Sequence, residues 1–250
     1  MTARRVLLVT GASRGIGAAT ARLAAARDYD VAVNYTRDAA AAARVVGEIE
    51  RNGRRAVAIQ GDVAKEADVA HLFAETERRL GPIAGLVNNA GTTGRASRLD
   101  AVSTATLEAV FDLNILGAFL CAREAVKRMS RARGGTGGAI VNISSGAATL
   151  GGPGEWVWYA ASKGAIDTMT IGLAREVAGE GIRVNAVQPG LIDTELHASS
   201  GIENRVAKLA PSVPIGRAGQ AEEVAEAVLF LLSDAASYIT AAILRVGGGR

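Results

Sequence analysis

The sequence contains few of the residues that bind metals or form disulfides. Its 250 residues include one cysteine, Cys121, and two histidines, His71 and His197. A single cysteine cannot form an internal disulfide, and Cys121 lies in an apolar helical stretch where a core role is expected. Two histidines without a cysteine cluster offer too few ligands for a zinc site. We therefore predict that the protein binds no metal.

An excess of one charge and long apolar runs are also lacking. The 28 basic and 25 acidic residues give a net charge of +3 and are spread along the chain, which argues against a nucleic-acid-binding surface. No apolar run approaches the ~20 residues that a helix needs to cross a bilayer. The N-terminus leads into a strand without the apolar segment of a signal peptide. These features predict a cytoplasmic protein that binds neither nucleic acid nor membrane.

The sequence does contain a regular alternation of short apolar runs and amphipathic stretches. The apolar runs begin at Arg5, Asp30, Arg55, Ala84, Gly138, Gly181 and Ala242. Strands that alternate with helices at this pitch predict an α/β fold with a parallel sheet, whose ligand lies at the carboxyl ends of the strands. The length fits one domain, residues 1–250, and no break in composition indicates a second.

A glycine-rich loop follows the first apolar run at once. Gly11, Gly15 and Gly17 lie between a predicted strand and a helix predicted to end near Arg27, which is the context that a dinucleotide-binding fingerprint requires. Glycines let the backbone approach a pyrophosphate, and the helix N-terminus offers free N–H groups. Glycines also mark plain turns, but in this context they predict a nucleotide site.

The end of the second predicted strand favours NADP(H) over NAD(H). NAD enzymes usually place an acidic residue there to hold the ribose diol, whereas an arginine accommodates a 2′-phosphate. The residues at this position are Asn34, Tyr35, Thr36 and Arg37. Arg14 in the glycine loop adds a second cation. Asp38 lies at about the distance of the usual acidic residue, but we interpret it as the solvated start of the next helix.

A serine, a tyrosine and a lysine follow the fifth predicted strand. Residues 138–145 are typical of a buried strand that ends in two hydroxyls, and helical spacing begins at Tyr159. Lys163 is four residues further on and shares a helix face with the tyrosine. An ammonium at ~4 Å, with an effective dielectric of ~20, would lower a tyrosine pKa from ~10 to near ~7, where acid–base catalysis works best. The alternative is an ordinary helix with a packed tyrosine and an exposed lysine.

Other polar and aromatic positions have two interpretations each. Asp62, at the end of the third predicted strand, either accepts from an adenine amino group or caps the next helix. Asn114, in an apolar helical stretch, is either exposed or capped, or marks a functional kink that holds a water. Trp156 and Trp158 flank Tyr159 and either wall a pocket or pack against a neighbouring subunit. The irregular segment 191–217 is predicted to form a substrate lid.

Taken together, these motifs resemble the short-chain dehydrogenase/reductase family. They are Thr10-Gly-x-x-x-Gly-Ile-Gly17, Asn88-Asn-Ala-Gly91, Asn114, Ser145, Tyr159-x-x-x-Lys163 and Pro189-Gly190. The likeness runs from about Val6 to Gly249 and is greatest to the single-domain branch near the 3-oxoacyl-carrier-protein reductases. It implies a doubly wound Rossmann fold with a seven-stranded parallel sheet in the order 3-2-1-4-5-6-7. It also implies a homotetramer, or a homodimer.

The resemblance implies a catalytic role for four of the matching residues. Tyr159 would be the general acid/base, and Lys163 would hold the nicotinamide ribose and lower the tyrosine pKa. Ser145 would orient the substrate carbonyl, and Asn114 would hold the water of a proton relay.

The resemblance also implies the residues that contact the cofactor. They are Gly11, Ser13, Arg14, Gly15, Ile16 and Gly17 for the pyrophosphate and ribose; Asn34, Tyr35, Thr36 and Arg37 near the 2′-phosphate; Asp62 and Val63 beside adenine; Asn88, Ala90 and Gly91 at the centre; and Tyr159, Lys163, Pro189, Gly190, Ile192 and Thr194 at the nicotinamide. The implied activity is NADP(H)-dependent hydride transfer to or from a small ketone, aldehyde or secondary alcohol. The alternatives are a sensor or scaffold that binds NADP without turnover, and specifically a reductase of 3-oxoacyl thioesters.

Three positions depart from the family pattern. Ser145 lies 14 residues before the tyrosine, one more than is common, and Ser144 is a second candidate. Glu180 stands where carrier-protein reductases have a basic residue, which counts against docking of an acyl-carrier protein, although two arginines remain nearby. Gly247 stands where relatives often have an aspartate.

Overall fold

The computed structural model describes residues 5–195, 202 and 204–250. Its strands are β1 (Arg5–Val9), β2 (Tyr29–Tyr35), β3 (Ala56–Gln60), β4 (Ile83–Asn88), β5 (Gly138–Ile143), β6 (Ile182–Pro189) and β7 (Ile243–Val246). They form one seven-stranded sheet in the order β3-β2-β1-β4-β5-β6-β7. Every neighbouring pair is parallel. The predicted strand order and doubly wound topology are confirmed.

Helices connect the strands and cover both faces of the sheet. They are α1 (Gly15–Ala26), α2 (Ala39–Arg51), α3 (Glu66–Leu80), α4 (Thr104–Phe111), α5 (Gly117–Met129), α6 (Ala147–Leu150), α7 (Val157–Val177), α8 (Arg205–Leu209) and α9 (Ala221–Leu232). Helices α1, α2 and α9 contribute to one buried apolar cluster, and α3, α5 and α7 contribute to a second. The sheet therefore lies between two helical layers.

The burial of the central strand β1 on both faces of the sheet explains why its sequence is a continuous apolar run. Leu7 and Val9 lie in the cluster on one face of the sheet, whereas Val6 and Leu8 lie in the cluster on the other. Successive side chains of a strand point to opposite faces. Because helices cover both faces, each of these positions is buried and apolar, as is usual for parallel sheets.

The helical stretch that follows β4 is interrupted. A π-helical turn, Asp112–Leu116, separates α4 from α5 and contains the buried Asn114. The structure therefore contains the kink that one interpretation of this asparagine required, and such π-turns are frequent at functional sites.

The same stretch, Thr104–Met129, is long and apolar enough, by length and composition alone, to cross a membrane. The sequence did not predict this because Glu108 and Asp112 interrupt the apolar run. The inner face of α5 packs against α3 and β4 and contains the predicted core residue Cys121, which is buried. Burial raises the pKa of its thiol to about 12. One such stretch is weak evidence for a membrane span, because core helices of soluble proteins meet the same criterion; 33% of its apolar window is buried.

The carboxyl ends of β1, β4 and β5 meet where the strand order reverses, which is where doubly wound sheets bind ligands. The Oγ1 atom of Thr10, directly after β1, accepts hydrogen bonds from the backbone N–H groups of Asn89 (2.9 Å) and Ala90 (3.0 Å) after β4. The glycine loop and the segment after β4 are thereby joined at one edge of the sheet.

Part of the predicted lid, residues 196–201 and 203, lies outside the described residues. In the described part, Ile192 forms an isolated parallel bridge with Gly219. Leu191, Val213 and Ala218 form a small apolar cluster against which Val206 and Leu209 of the α8 region pack. This cluster attaches α8 to the rest of the molecule.

Candidate active site

A cavity of about 1090 Å³ opens at this edge of the sheet. The predicted residues that line it are Gly11, Ser13, Arg14, Gly15, Ile16, Tyr35, Thr36, Arg37, Asp62, Ala90, Gly91, Ser145, Tyr159, Lys163, Pro189, Gly190, Ile192 and Thr194. The structure therefore brings the glycine loop, the serine and the tyrosine–lysine pair into one cavity. The remaining predicted residues lie behind its lining and are Gly17, Asn34, Val63, Asn88 and Asn114.

The glycine loop is supported from behind by two asparagines. Asn34 accepts a hydrogen bond from the Gly11 N–H (3.1 Å) and donates one to the Gly61 carbonyl (3.0 Å). Asn89, which the sequence did not single out, donates to the carbonyls of Thr10 and Gly11. Gly11 has a φ of 60°, a left-handed conformation that favours glycine. The buried Asn34 side chain therefore fixes the position of the loop backbone at Gly11.

Two arginines line the end of the cavity next to β2. The neighbouring Asp38 also lines the cavity, and its Oδ1 accepts from the Ala41 N–H at 2.8 Å and caps α2. This agrees with its interpretation as the start of a helix. Within the described part of the chain, neither Arg14 nor Arg37 forms a hydrogen bond or an ion pair through its side chain. Two guanidinium groups are therefore free to bind an anion.

The two residues predicted beside adenine differ in position. Asp62 lines the cavity, and its Oδ1 accepts from the Ala64 N–H at 3.1 Å. The cap position of α3 is Lys65, so the alternative of Asp62 as the helix cap is wrong: the aspartate closes the turn that precedes the helix. Val63 is buried in the apolar cluster of α3 and α5.

The buried tyrosine and lysine lie one helical turn apart on α7. Lys163 Nζ donates to the Ile143 carbonyl at 2.7 Å and lies 5.7 Å from the centre of the Tyr159 ring. The Ser145 side chain lowers the pKa of Tyr159, whereas Ser144 donates to the Lys163 carbonyl at 3.2 Å. Of the two candidate serines, Ser145 is therefore the one that acts on the phenol.

Burial dominates the titration of this pair. It raises the pKa of Tyr159, which the Ser145 hydrogen bond and the charge of Arg205 lower only in part. Burial also lowers the pKa of Lys163 to about 8, although the charge of Asp167 raises it. The expectation that Lys163 brings the tyrosine pKa near ~7 is not met here. The ammonium donates to the Ile143 carbonyl, and burial disfavours the phenolate.

The lowered pKa of Lys163 has a measurable effect on stability. An unfolded lysine holds its proton up to about 10.5, whereas the folded one loses it above about 8, so the unfolded chain binds more protons in this window and folding becomes more favourable as the pH rises. We expect the wild type to gain up to about 3 kcal/mol relative to Lys163→Met across it. Urea denaturation of both proteins between about pH 7 and 11 measures this difference. A difference that is independent of pH would show that the lysine is not a buried cation.

Asn114 joins three parts of the site. Its Oδ1 accepts from the Thr92 N–H (2.9 Å), and its Nδ2 donates to the Thr92 carbonyl (2.9 Å) and to Ser162 Oγ (3.0 Å). The amide is thus satisfied by protein groups, which excludes the interpretation that it is exposed. Gly91 lies between this amide and Lys163, because a Cβ atom at Gly91 would be 3.2 Å from Asn114 Oδ1 and 3.5 Å from Lys163 Nζ.

A similar buried amide network lies beneath the centre of the cavity. Asn88 donates to the Ala118 carbonyl at 3.1 Å and to Asn142 Oδ1 at 3.0 Å, and Asn142 donates to Thr170 Oγ1 at 2.9 Å. The network connects β4, α5, β5 and α7. It fixes the strand ends from which Ala90 and Ser145 follow.

The two tryptophans that flank the tyrosine have different surroundings. Trp156 lines the cavity, and its ring lies edge-on to Tyr159 with centroids 6.4 Å apart. Trp158 is buried and donates from Nε1 to the Thr93 carbonyl at 2.9 Å. Trp156 is therefore a wall of the cavity, and Trp158 is a core residue.

The far end of the cavity contains residues that the sequence did not predict. They are Leu150, Glu155, Arg205, Leu209 and Arg250, together with Gly152 and Pro153 of the loop before α7. Glu155 and Arg205 are 50 positions apart in the chain, and no spacing or motif joins them. The predicted lid segment, 191–217, contains Arg205 and Leu209, but no local signal could have found the pairing of Arg205 with Glu155.

A glycine loop at the switch point of a parallel sheet, joined to a serine, a tyrosine and a lysine, defines a dinucleotide-dependent oxidoreductase. A family model described as Enoyl-(Acyl carrier protein) reductase matches residues 11–250. The chain belongs to the short-chain dehydrogenase/reductase family.

Several curated proteins and solved structures are similar over nearly the whole chain. An uncharacterized oxidoreductase of Escherichia coli K12, YgfF, is 50% identical over 98% of this chain and 99% of its own. A 3-oxoacyl-[acyl-carrier-protein] reductase of Synechocystis is 42% identical, covering 98% and 96%. Cis-4-hydroxycyclohexanecarboxylate dehydrogenase of Sinomonas cyclohexanicum is 42% identical, covering 99% and 96%.

A crystal structure of a short chain dehydrogenase from Burkholderia cenocepacia J2315, in complex with NADP, superposes with a TM-score of 0.90 at 36% identity, covering 98% of this chain and 97% of that one. Its fold is therefore the same over almost the whole length.

Proposed function

We propose that the protein reduces a small ketone or aldehyde with NADPH and oxidises the corresponding secondary alcohol in reverse. The observation that carries this proposal is the arrangement of Ser145, Tyr159 and Lys163 at one part of a cavity whose other part contains the glycine loop. A sensor that only bound the nucleotide would need the loop and not the proton-transferring group. The relatives named above are reductases and dehydrogenases, which supports turnover.

The residues present fit a dinucleotide that carries a 2′-phosphate. Gly11 and Gly15 both have positive φ, at 60° and 54°. Any residue other than glycine would strain the backbone at these two positions. Arg14 and Arg37 offer two cations at the β2 end of the cavity, and the Burkholderia neighbour was solved with NADP. We therefore propose NADP(H) as the cofactor and these two arginines as the residues that hold its extra phosphate.

The nicotinamide supplies the hydride when the cofactor is bound. The serine and tyrosine hydroxyls act on the substrate oxygen: Ser145 donates a hydrogen bond that orients the carbonyl, and Tyr159 delivers the proton to it. Because burial raises the tyrosine pKa, the phenol is protonated at neutral pH, as a proton donor must be. Ser145 and the charge of Arg205, which lower the pKa of Tyr159 in part, favour the phenolate that forms when the proton leaves. We assign Lys163, held by the Ile143 carbonyl, to the nicotinamide ribose.

Two further proposals concern the surroundings of the site. We assign the segment 191–217 as the substrate lid, since Leu191, Arg205 and Leu209 all line the cavity.

We also propose that the protein is a homo-oligomer, because Phe111, Leu116 and Phe119 near the π-turn are exposed apolar side chains. A monomeric mass in sedimentation equilibrium would exclude the oligomer.

The proposed activity is tested by NADPH oxidation against a panel of carbonyl compounds: 3-oxoacyl thioesters, cyclic ketones, aldehydes, quinones and sugars. We expect turnover with at least one class, and a kcat/KM for NADPH about tenfold or more above that for NADH, since two arginines favour the phosphate. Tight binding of NADPH without turnover of any carbonyl would instead indicate a sensor.

A further inference from the structure

An ion pair lies at the far end of the cavity. Arg205 Nη2 donates to Glu155 Oε2 at 2.6 Å, and the guanidinium carbon lies 4.6 Å from the centre of the Trp156 ring. The arginine side chain is 12% exposed and that of the glutamate is 35% exposed. All three residues line the cavity. Arg205 is thus the more buried partner of the ion pair, and Glu155 is the more exposed to solvent.

Two local features hold the Arg205 side chain in place. Asn204 adopts a left-handed backbone with a φ of 53°, which asparagine tolerates better than most residues, and it directly precedes α8. On the other side, Val206 and Leu209 pack against the cluster of Leu191 and Val213. A turn and an apolar anchor together position Arg205 over Trp156.

The charge of Arg205 reaches the reacting group. It lowers the pKa of Tyr159, so the guanidinium and the phenol share one electrostatic environment. The same end of the cavity has apolar walls from Leu150, Trp156 and Leu209. In addition, the Trp156 Nε1–H is buried and has no acceptor in the part of the chain that the structure describes. A guanidinium beside an apolar wall is a group that recognises a carboxylate attached to a hydrocarbon.

We propose that Arg205 binds the carboxylate of the substrate, so that the protein acts on oxo acids and their hydroxy acids. This inference rests on the proposed carbonyl reduction. The hydrocarbon between the two functional groups packs against Trp156, while the carbonyl oxygen receives the Tyr159 proton. Glu155 holds the guanidinium when no substrate is present, and the substrate carboxylate takes its place. Arg205 is a specificity residue, because it touches the substrate away from the reacting carbonyl.

Paired substrates that differ only in charge test this assignment. We expect Arg205→Met to reduce kcat/KM for 4-oxocyclohexanecarboxylate by about tenfold to a hundredfold, mainly through KM, because a charged hydrogen bond is lost. The methyl ester of the same acid, which is neutral, should change by less than about threefold. Glu155→Gln should act in the opposite direction and lower KM for the acid alone. Arg78→Met, which removes an exposed arginine paired with Glu75 at 2.7 Å, is the matched control and should change neither substrate.

Equal losses for the acid and the ester in Arg205→Met would overturn the assignment, since they would show that the arginine only holds its segment in place. The same conclusion would follow if the wild type preferred the ester. A binding experiment separates this inference from the proposed reaction. Cyclohexanecarboxylate and cyclohexanecarboxamide are titrated calorimetrically into the wild type and Arg205→Met in the presence of NADP⁺. A preference for the acid that is lost in the variant supports the inference even if no ketone is reduced, and no preference in the wild type refutes it.

Discussion

Replacing Tyr159 by phenylalanine is expected to reduce turnover about a hundredfold or more while the affinity for NADPH stays within about threefold. The variant removes only the phenol hydroxyl, whose pKa the Ser145 side chain lowers. The ring remains, and with it the edge-on contact to Trp156, so the buried helix face is preserved. Steady-state kinetics with the best carbonyl of the panel measure turnover, and quenching or enhancement of NADPH fluorescence measures binding.

The control for this substitution is Tyr238→Phe, because the Tyr238 side chain is fully exposed. Its turnover should equal that of the wild type. If Tyr159→Phe retained full turnover, the tyrosine would not be the proton donor. If it lost NADPH binding to the same extent as turnover, its role would be to build the cofactor site instead.

Replacing Gly17 by alanine is expected to weaken NADPH binding by about tenfold or more and to destabilise the protein by about 1–3 kcal/mol. A Cβ atom at this position would lie 2.5 Å from Asn89 Nδ2 and 2.6 Å from the Gly11 carbonyl oxygen. Asn89 is held by its hydrogen bonds to the carbonyls of Thr10 and Gly11. The added methyl group must therefore displace the loop backbone that receives the cofactor. Thermal unfolding and NADPH titration measure the two effects.

Gly47 provides the matched comparison. It lies within α2, and a Cβ atom there would meet nothing within 4 Å. Gly47→Ala should stabilise the protein by about 0.5–1 kcal/mol, because alanine is the better helix former, and should leave NADPH binding unchanged. If Gly17→Ala had the same stability and NADPH affinity as Gly47→Ala, the structure would accommodate a methyl group at position 17 without loss of either.

The sheet and the glycine loop could be predicted because their signals are local. Apolar runs marked the first residue of each strand to within one position, and the glycines of residues 11–17 stood between a strand and a helix. The order of the strands was implied by the family resemblance. Tyr159 and Lys163 are one helical turn apart, so their common face followed from helix geometry alone.

Contacts between distant parts of the chain could not be predicted. The sequence offered no reason for Lys163 Nζ to donate to the Ile143 carbonyl, and that hydrogen bond decides where its charge acts. Likewise, the pair of Glu155 and Arg205 joins a loop to a segment 50 positions away. Interactions of this kind depend on distances of a few ångströms between separate elements, which periodicity does not encode.

The hydrogen bonds of the Asn34 side chain restrict which residues position 34 can accept. Its amide oxygen accepts from the Gly11 N–H while its amide nitrogen donates to the Gly61 carbonyl. An aspartate is the kind of acidic residue typical of NAD enzymes. At position 34 its carboxylate oxygen would face the Gly61 carbonyl oxygen, so two buried acceptors would lie opposite each other without a donor. Because Asn34 is buried behind the cavity lining, such a substitution would destabilise the loop without placing a carboxylate against the ribose.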